Sequence, residues 1–313
     1  VCIRCLCVDP HLLSSPFGCV GEFLLFCTVQ NKEGLEIGSI DRYRMGESGM
    51  DRLPEGCVAH AIALTSPRDV CRFSAVSSAF RSAAAYDTVW DRFLPSDYRS
   101  ILSRAVRPVV CSSKRDLFFR LCDSLLIDAG KMSFWLERSS GAKCYMLSAR
   151  SLSITWGDTP QYWRWVPLSD CRFSEAAELV NVCWLEIRGK IQSRMLSGRT
   201  TYAAYLIFRL ADWSRGLGHP PQEASVTMGV QHSSTHVVRL QPNDSPSRIA
   251  ADQEAAAEEV GDARDDGWME AELGELYIDE GEDGEVEMSL MEVRGGHWKK
   301  GLIIQGIEIR PKA

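Results

Sequence analysis

The sequence predicts an α+β protein, in which a small N-terminal helical domain precedes an antiparallel β-sandwich of the jelly-roll type. Between residues 53 and 128 the apolar residues recur at helical spacing. After Gly130 the pattern changes to nine short segments of β character, separated by turn residues. The longest apolar stretch near the N-terminus, residues 17–29, is shorter than the about 20 residues of a membrane span, so we expect no membrane partner.

Composition and charge exclude several classes of function. The chain has 313 residues and a net charge of −7. Residues 252–292 hold 17 acidic residues and one arginine, which gives −16, and such a block repels phosphate. The twelve cysteines are scattered, and none forms the paired spacing of a zinc site. We therefore expect no nucleic-acid partner, metal or cofactor, and a reducing cytoplasmic or nuclear location.

Residues 1–50 show no sustained periodicity and are predicted to be a disordered, unassigned leader. Residues 51–98 form the predicted helical domain. Leu53-Pro54 opens its first helix, and the second starts with a capping box from Ser66 to Asp69, with Pro67 at the first helical position. A core of this size is small, so we expect a partner to bury part of its apolar surface.

Residues 99–130 are predicted to be a helical bridge between the two domains. Lys114 to Asp128 carries a wide apolar stripe, and Gly130 follows as a C-cap.

The predicted sandwich covers residues 131–313. Its nine predicted strands are Ser133–Glu137, Lys143–Ser148, Val182–Ile191, Tyr202–Leu210, Ser225–Val230, Thr235–Leu240, Trp268–Tyr277, Val286–Val293 and Leu302–Ile309. Residues 170–177 read as loop and short helix. Residues 244–266 are rich in Ser, Ala, Glu and Asp, which predicts a flexible acidic insert.

The segment from Ile154 to Ile191 holds the candidate binding residues. Trp156, Trp163 and Trp165 surround a polar turn, and exposed indole rings there can stack on a sugar or anchor a protein, while buried ones would be core. Glu270 and Glu272 share one face of a predicted strand. They could be the acid and base of a glycosidase, or they could be ordinary exposed acids on the outer face of the strand. No nucleophile-elbow, zinc-protease, P-loop or dinucleotide motif occurs, so we expect no enzyme.

The helical domain resembles an F-box. The matching residues are Leu53-Pro54, Thr65 to Asp69, Val76 to Phe80 and Val89 to Pro95, in the order and spacing of that family. The resemblance implies docking on a Skp-family adaptor and, through it, on a cullin ubiquitin ligase. The contact residues that it implies are Leu53, Pro54, Ile62, Pro67, Val76 and Trp90.

The second domain resembles the lectin domain of plant phloem protein 2, related to the tobacco jasmonate-induced lectin. The matching runs are ITWGDTPQYWRW, CRFSEAAEL and VCWLEIRGKI. The resemblance implies sugar binding by Trp156 and Trp163, which keep the family's spacing of seven, with Trp165 beside them. Acidic partners are also implied, and Glu270 and Glu272 are our candidates for them.

Together these resemblances imply a non-catalytic substrate adaptor of an SCF-type ubiquitin ligase. Its lectin-like domain would bind a glycoprotein client or an N-glycan that contains N-acetylglucosamine. Two alternatives remain open, a lectin that acts outside any ligase and a protein-binding sandwich without sugar affinity.

Overall fold

The computed structural model describes residues 53–229, 232–242 and 259–312. The chain divides into two compact units, Val1–Val58 and Ala59–Ala313. The first unit is described only at residues 53–58, and the predicted leader at residues 1–50 lies outside the described residues. The helices are α1 (Glu55–Ile62), α2 (Pro67–Phe73), α3 (Ser78–Ala84), α4 (Asp87–Asp91), α5 (Tyr98–Ser103) and α6 (Lys114–Cys122).

Serine caps start three of these helices. The hydroxyl oxygen of Ser66 accepts a hydrogen bond from the Asp69 amide at 3.2 Å, as the predicted capping box requires. Ser77 caps α3 and Ser113 caps α6 in the same way. Each hydroxyl satisfies an amide that has no partner within its helix, and the three short helices thereby start at defined residues.

An aromatic cluster around Trp90 holds the helices of the second unit together. The Trp90 side chain is 1% exposed, and its ring centroid lies 5.3 Å from that of Phe118, 5.2 Å from Phe119 and 5.9 Å from Phe93. Its indole nitrogen donates to the Ala84 carbonyl at 2.7 Å. Helix α6 contributes two of these rings and also packs on the β domain, so it connects α4 with the sandwich.

The strands of the β domain are short except for two. They are β1 (Leu125–Ile127), β2 (Met132–Leu136), β3 (Lys143–Ser148), β4 (Ser153–Ile154), β5 (Trp163–Val166), β6 (Ala176–Leu179), β7 (Leu185–Gln192), β8 (Thr200–Arg215), β9 (Gln222–Met228), β10 (His232–Arg239), β11 (Glu259–Val260), β12 (Asp262–Ala263), β13 (Met269–Ile278), β14 (Glu285–Glu292) and β15 (Lys300–Pro311).

Within the described residues these strands form two sheets, which confirms the predicted sandwich. One sheet has the order β1-β2-β3-β15-β8-β13-β12, with β6 also pairing with β15 and β5 with β6. The other has the order β11-β10-β9-β14-β7-β4. All pairs are antiparallel except the two-residue contact between β10 and β11. The chain crosses between the two sheets several times, since β7, β9 and β14 belong to the second sheet and β8, β13 and β15 to the first.

The core lies between the two sheets. On β7, Leu185, Ile187 and Ile191 are buried while Glu186 and Arg188 are partly exposed, which is the alternation that the sequence predicts. Two neighbouring strands of the nine-stranded sheet approach each other closely at Gly306 of β15, which lies opposite Ser148 of β3. A Cβ atom there would lie 2.0 Å from the Leu147 carbonyl oxygen, so only glycine fits.

All nine predicted strands are present with small shifts at their ends, but three other predictions are wrong. The helix predicted over Lys114–Asp128 ends at Cys122, because Asp123 is extended and residues 125–127 pair with β2. The predicted helical bridge thus contains a strand. The loop predicted over residues 170–177 ends before Ala176, because residues 176–179 form β6 and pair with β15. The predicted flexible insert ends in two short paired strands, β11 and β12, while residues 243–258 lie outside the described residues.

Candidate functional site

The loop that follows β4 presents Trp156 to solvent. The Trp156 side chain is 44% exposed, and its ring centroid lies 5.0 Å from that of Tyr162. The backbone of Trp156 has φ +59°, a left-handed conformation that is rare for a bulky residue. Hydrogen bonds of 2.9 Å from the Gly157 amide to the Ile154 carbonyl and from the Thr159 amide to the Trp156 carbonyl close the turn. Backbone conformations of this kind cluster at active sites and ligand-binding sites.

Trp163 and Trp165 support this loop from the β5 strand. Trp163 is 2% exposed, and its indole nitrogen donates to the Thr155 carbonyl at 3.2 Å. The Trp165 indole donates to the Gly157 carbonyl at 3.0 Å, and the Arg150 guanidinium lies 3.7 Å from the Trp165 ring centroid. The prediction that Trp163 offers a stacking face is therefore wrong, because β5 turns its ring into the core.

Glu186 of β7 lies beside the loop and organises its polar groups. Its carboxylate accepts hydrogen bonds from Thr155 at 3.0 Å, from the Trp184 indole at 3.0 Å and from Arg188 at 2.8 Å. The Trp184 and Arg188 hydrogen bonds hold the pKa of Glu186 below its ordinary value. The carboxylate therefore stays ionised at neutral pH.

We call the group Thr155, Trp156, Tyr162, Trp184 and Glu186 the Trp156 site. Trp184 is 43% exposed, so two indole rings face solvent around one fixed carboxylate. A ring and a nearby acceptor of hydroxyl hydrogens are the elements of a shallow sugar site. The alternation of residues 182–191 places Trp184 and Glu186 on one face of the strand. This alternation is the sequence signal from which both residues could have been predicted as members of the site.

Glu270 and Glu272 do not join the Trp156 site, and the prediction that they do is wrong. Glu270 bonds to Arg310 at 2.6 Å and to Arg264 at 2.6 Å, and Glu272 pairs with Lys312 at 3.5 Å. Both lie on β13, which packs against β9 and β10. β4 lies at the far edge of that sheet, four strand spacings of about 4.8 Å from β10.

The six predicted adaptor-contact residues divide by exposure. Leu53 is 38% exposed, Val76 is 67% exposed and Pro54 is also exposed. Ile62 is 2% exposed and Trp90 is 1% exposed, and Pro67 is also buried within the chain. The buried three serve the helical core here, whereas Leu53, Pro54 and Val76 stay accessible to another protein.

In the described part of the chain, no group of three or more His, Cys, Asp or Glu residues is arranged to hold a metal ion. Among the helices at residues 53–229, 232–242 and 259–312, none has the length and apolar character needed to cross a membrane.

Comparisons with known proteins agree with both halves of this architecture. The F-box domain model matches residues 50–92, and the phloem protein 2 model matches residues 142–311. This chain belongs to the family of F-box proteins with a phloem protein 2 domain. A similar relative is F-box protein At2g02240 of Arabidopsis thaliana, 47% identical, with 85% of this chain and 81% of the relative covered. Putative F-box protein PP2-B12 of the same plant is 47% identical over 83% of this chain and 97% of its own.

Solved structures resemble the sandwich only weakly. The CBM22-1 xylan-binding domain from Paenibacillus barcinonensis Xyn10C is 12% identical with a TM-score of 0.28, and it covers 53% of this chain and 89% of that domain. TmCBM61 in complex with β-1,4-galactotriose is 8% identical with a TM-score of 0.28, covering 51% and 87%. Likeness at this level carries no argument about ligands.

Proposed function

We propose that this family member is a substrate-recognition adaptor of an SCF-type ubiquitin ligase. Its F-box recruits a Skp-family subunit, and its sandwich holds a client for ubiquitin transfer by other subunits. The observation that carries the proposal is one chain with an F-box match at residues 50–92 and a phloem protein 2 match at residues 142–311. The adaptor itself makes and breaks no bond, and it works in the cytoplasm or nucleus where such ligases assemble.

The exposed apolar residues of the helical region support the docking role. Val76 leaves 67% of its side chain in water, between α2 and α3. The F-box resemblance makes Val76 an adaptor contact, and its exposed side chain is accessible for that contact. Leu53 and Pro54 add further apolar surface at the start of the F-box match.

The client is a glycoprotein whose N-glycan contains N-acetylglucosamine, and the Trp156 site binds it. Trp156 supplies the stacking ring, and the ionised Glu186 accepts hydrogen bonds from sugar hydroxyls. Trp163 is a positioning residue, because its indole holds the Thr155 carbonyl at the base of the loop.

Co-expression with a Skp-family adaptor tests the docking role. We expect the full chain to co-purify with it as a one-to-one complex and Val76→Glu to abolish that complex. Val110→Glu is the matched control, since Val110 is 77% exposed but lies outside the F-box match. Equal loss in both variants, or persistence of the complex in Val76→Glu, contradicts the proposed docking surface.

Calorimetric titration with N,N′,N″-triacetylchitotriose tests the client site. Trp156→Ala removes the stacking ring, and we expect the dissociation constant to rise about tenfold, or about 1.4 kcal/mol. The matched control is Tyr277→Ala, because Tyr277 is an aromatic residue that is 47% exposed and lies outside the Trp156 site. Unchanged binding in Trp156→Ala would remove the sugar assignment, and sugar binding without a Skp complex would make the chain a lectin acting on its own.

A further inference from the structure

A cavity that is separate from the Trp156 site opens at one end of the nine-stranded sheet. Its volume is about 490 Å³, within the range of small-ligand pockets. It shares no residue with the Trp156 site. The residues that matter for its chemistry are Arg164, Asn181, Trp213, Arg215, Trp298 and Lys300.

Two glycines allow the chain to form the cavity. Arg215 of β8 lies opposite Lys300 of β15, and the register then shifts between Lys300 and Leu302. Gly216 has φ +77°, and a Cβ on it would lie 2.3 Å from the Trp298 carbonyl oxygen. Gly301 also has φ +77°, and a Cβ on it would lie 2.6 Å from the Ser214 Cα atom. No other residue type permits both close approaches.

The Trp298 backbone is anchored although its ring is free. The neighbouring Lys299 is fully buried and forms an ion pair with Glu292. Its ammonium also donates to the His297 carbonyl at 2.7 Å and to the Cys183 carbonyl at 3.2 Å. The indole of Trp298 is nevertheless 57% exposed. The anchored backbone limits the entropy that is lost when a flat ligand stacks on this ring.

The cavity is strongly cationic. Its lining contains three cations and no carboxylate. Arg164 is balanced by Glu178, with a nitrogen–oxygen distance of 2.7 Å. Arg215 and Lys300 form no ion pair with any described residue of the chain. The two positive charges beside two exposed indoles can therefore bind an anionic group of a ligand.

The backbone around the cavity disfavours a peptide as the ligand. Peptides that bind to sheets add a strand at an open edge. At this point β15 is already paired on both sides, since Ile303 lies opposite Glu178 of β6 and Arg209 of β8. The available groups are ring faces, cationic side chains and the Asn181 amide, which match a sugar better than a strand.

We propose that this cavity binds a negatively charged saccharide. A pyranose ring stacks on Trp298 or Trp213, and its carboxylate or sulfate pairs with Arg215 and Lys300. The site is independent of the Trp156 site, and its ligand differs in charge from the neutral glycan proposed there.

Calorimetry on the full chain with tetragalacturonate tests the proposal. We expect binding in about 0.05 M salt that weakens strongly in about 0.5 M salt, because the cations are exposed. The fully methyl-esterified tetragalacturonate has the same rings without charge and should bind about tenfold more weakly. Trp298→Ala and Arg215→Gln should each raise the dissociation constant about fivefold or more.

Matched tryptophan variants separate this site from the Trp156 site. Trp184→Ala removes an indole as exposed as Trp213, at 43%, and Trp156→Ala removes the proposed neutral-glycan platform. Both should leave tetragalacturonate binding unchanged. Loss of binding in either one, equal affinity for the ester, no change in Trp298→Ala, or no binding of tetragalacturonate overturns the proposal. So does a hexaglutamate peptide that binds equally well, since the cavity would then recognise acidic peptides.

Discussion

Replacing Lys299 by methionine should destabilise the protein severely. Lys299 is 0% exposed, and its ammonium meets the Glu292 carboxylate as well as two backbone carbonyl groups. Lys299→Met keeps the length of the side chain but leaves Glu292, 6% exposed, without its cation. Removing one partner of a buried ion pair costs about 3–5 kcal/mol. At about 2–4 °C per kcal/mol for a domain of this size, Tm should fall by roughly 6–20 °C.

Urea titration monitored by circular dichroism measures the loss, with two controls. Lys300→Met changes the adjacent lysine, which faces the cavity and forms no ion pair with a described residue, and it should stay within about 0.5 kcal/mol of the parent. In the double variant Lys299→Met with Glu292→Leu no unpaired charge remains, so we expect it to be more stable than Lys299→Met alone.

The pH dependence gives a second measure of the same pair. Burial alone raises the pKa of Glu292, but hydrogen bonds from Lys299 and the Gly295 amide outweigh it and leave the pKa below its ordinary value. The stabilisation is therefore complete above the unfolded pKa of about 4.3 and is lost as pH falls through the lower folded pKa. The reasoning would be refuted if Lys299→Met lost less than about 1 kcal/mol of unfolding free energy relative to the parent. It would also be refuted if the loss at neutral pH were no greater than that in Lys300→Met.

Three further outcomes follow from packing. Trp90→Ala should lower the free energy of unfolding in urea by about 3–5 kcal/mol. Trp90→Phe leaves the Ala84 carbonyl without its donor, so it should lower that free energy by about 1–3 kcal/mol and keep the Skp complex. Loss of the complex in a stable Trp90→Phe protein would make Trp90 a contact residue. Trp163→Ala should destabilise by about 3–5 kcal/mol in thermal unfolding, and Trp156→Ala by less than about 1 kcal/mol, because only the first ring is buried. Gly306→Ala should lower the free energy of unfolding by about 3 kcal/mol or more, since its Cβ would meet the Leu147 carbonyl oxygen. Gly56→Ala lies in open space on α1 and should be neutral, or stabilising by up to about 1 kcal/mol, in the same urea assay.

The sequence predicted the elements whose local pattern is long enough to be read. β7 alternates over eight residues and β14 alternates in sequence over residues 285–290, so their faces were evident. β1 and β6 have three and four residues, and neither shows a full alternation. They are strands because β2 and β15 offer them backbone partners, and tertiary pairing of this kind leaves no local signal.

The site was predicted in part for the same reason. Spacing along the chain placed Trp156 and Trp163 together, but it could not show which ring faces solvent. That choice depends on the left-handed backbone at Trp156 and on the pairing of β5 with β6, which points Trp163 inward. Glu270 and Glu272 were misplaced because alternation shows the face of a strand and not the sheet to which the strand belongs.

The position of α6 changes how the F-box of this chain should be understood. A helical domain of its size was expected to need a partner to bury its apolar surface. Instead Phe118 and Phe119 of α6 close over Trp90, and α6 packs on β2 of the sandwich. Gly141 of the β2–β3 turn also comes so close to Phe93 that a Cβ would lie 3.0 Å from its carbonyl oxygen. Helices α2 to α4 and the sandwich therefore form one packed body, and in the proposed ligase a client held at the Trp156 site would keep a fixed direction from these helices. The buried Trp90 thus helps to fix that geometry, and its contact with the adaptor stays a prediction.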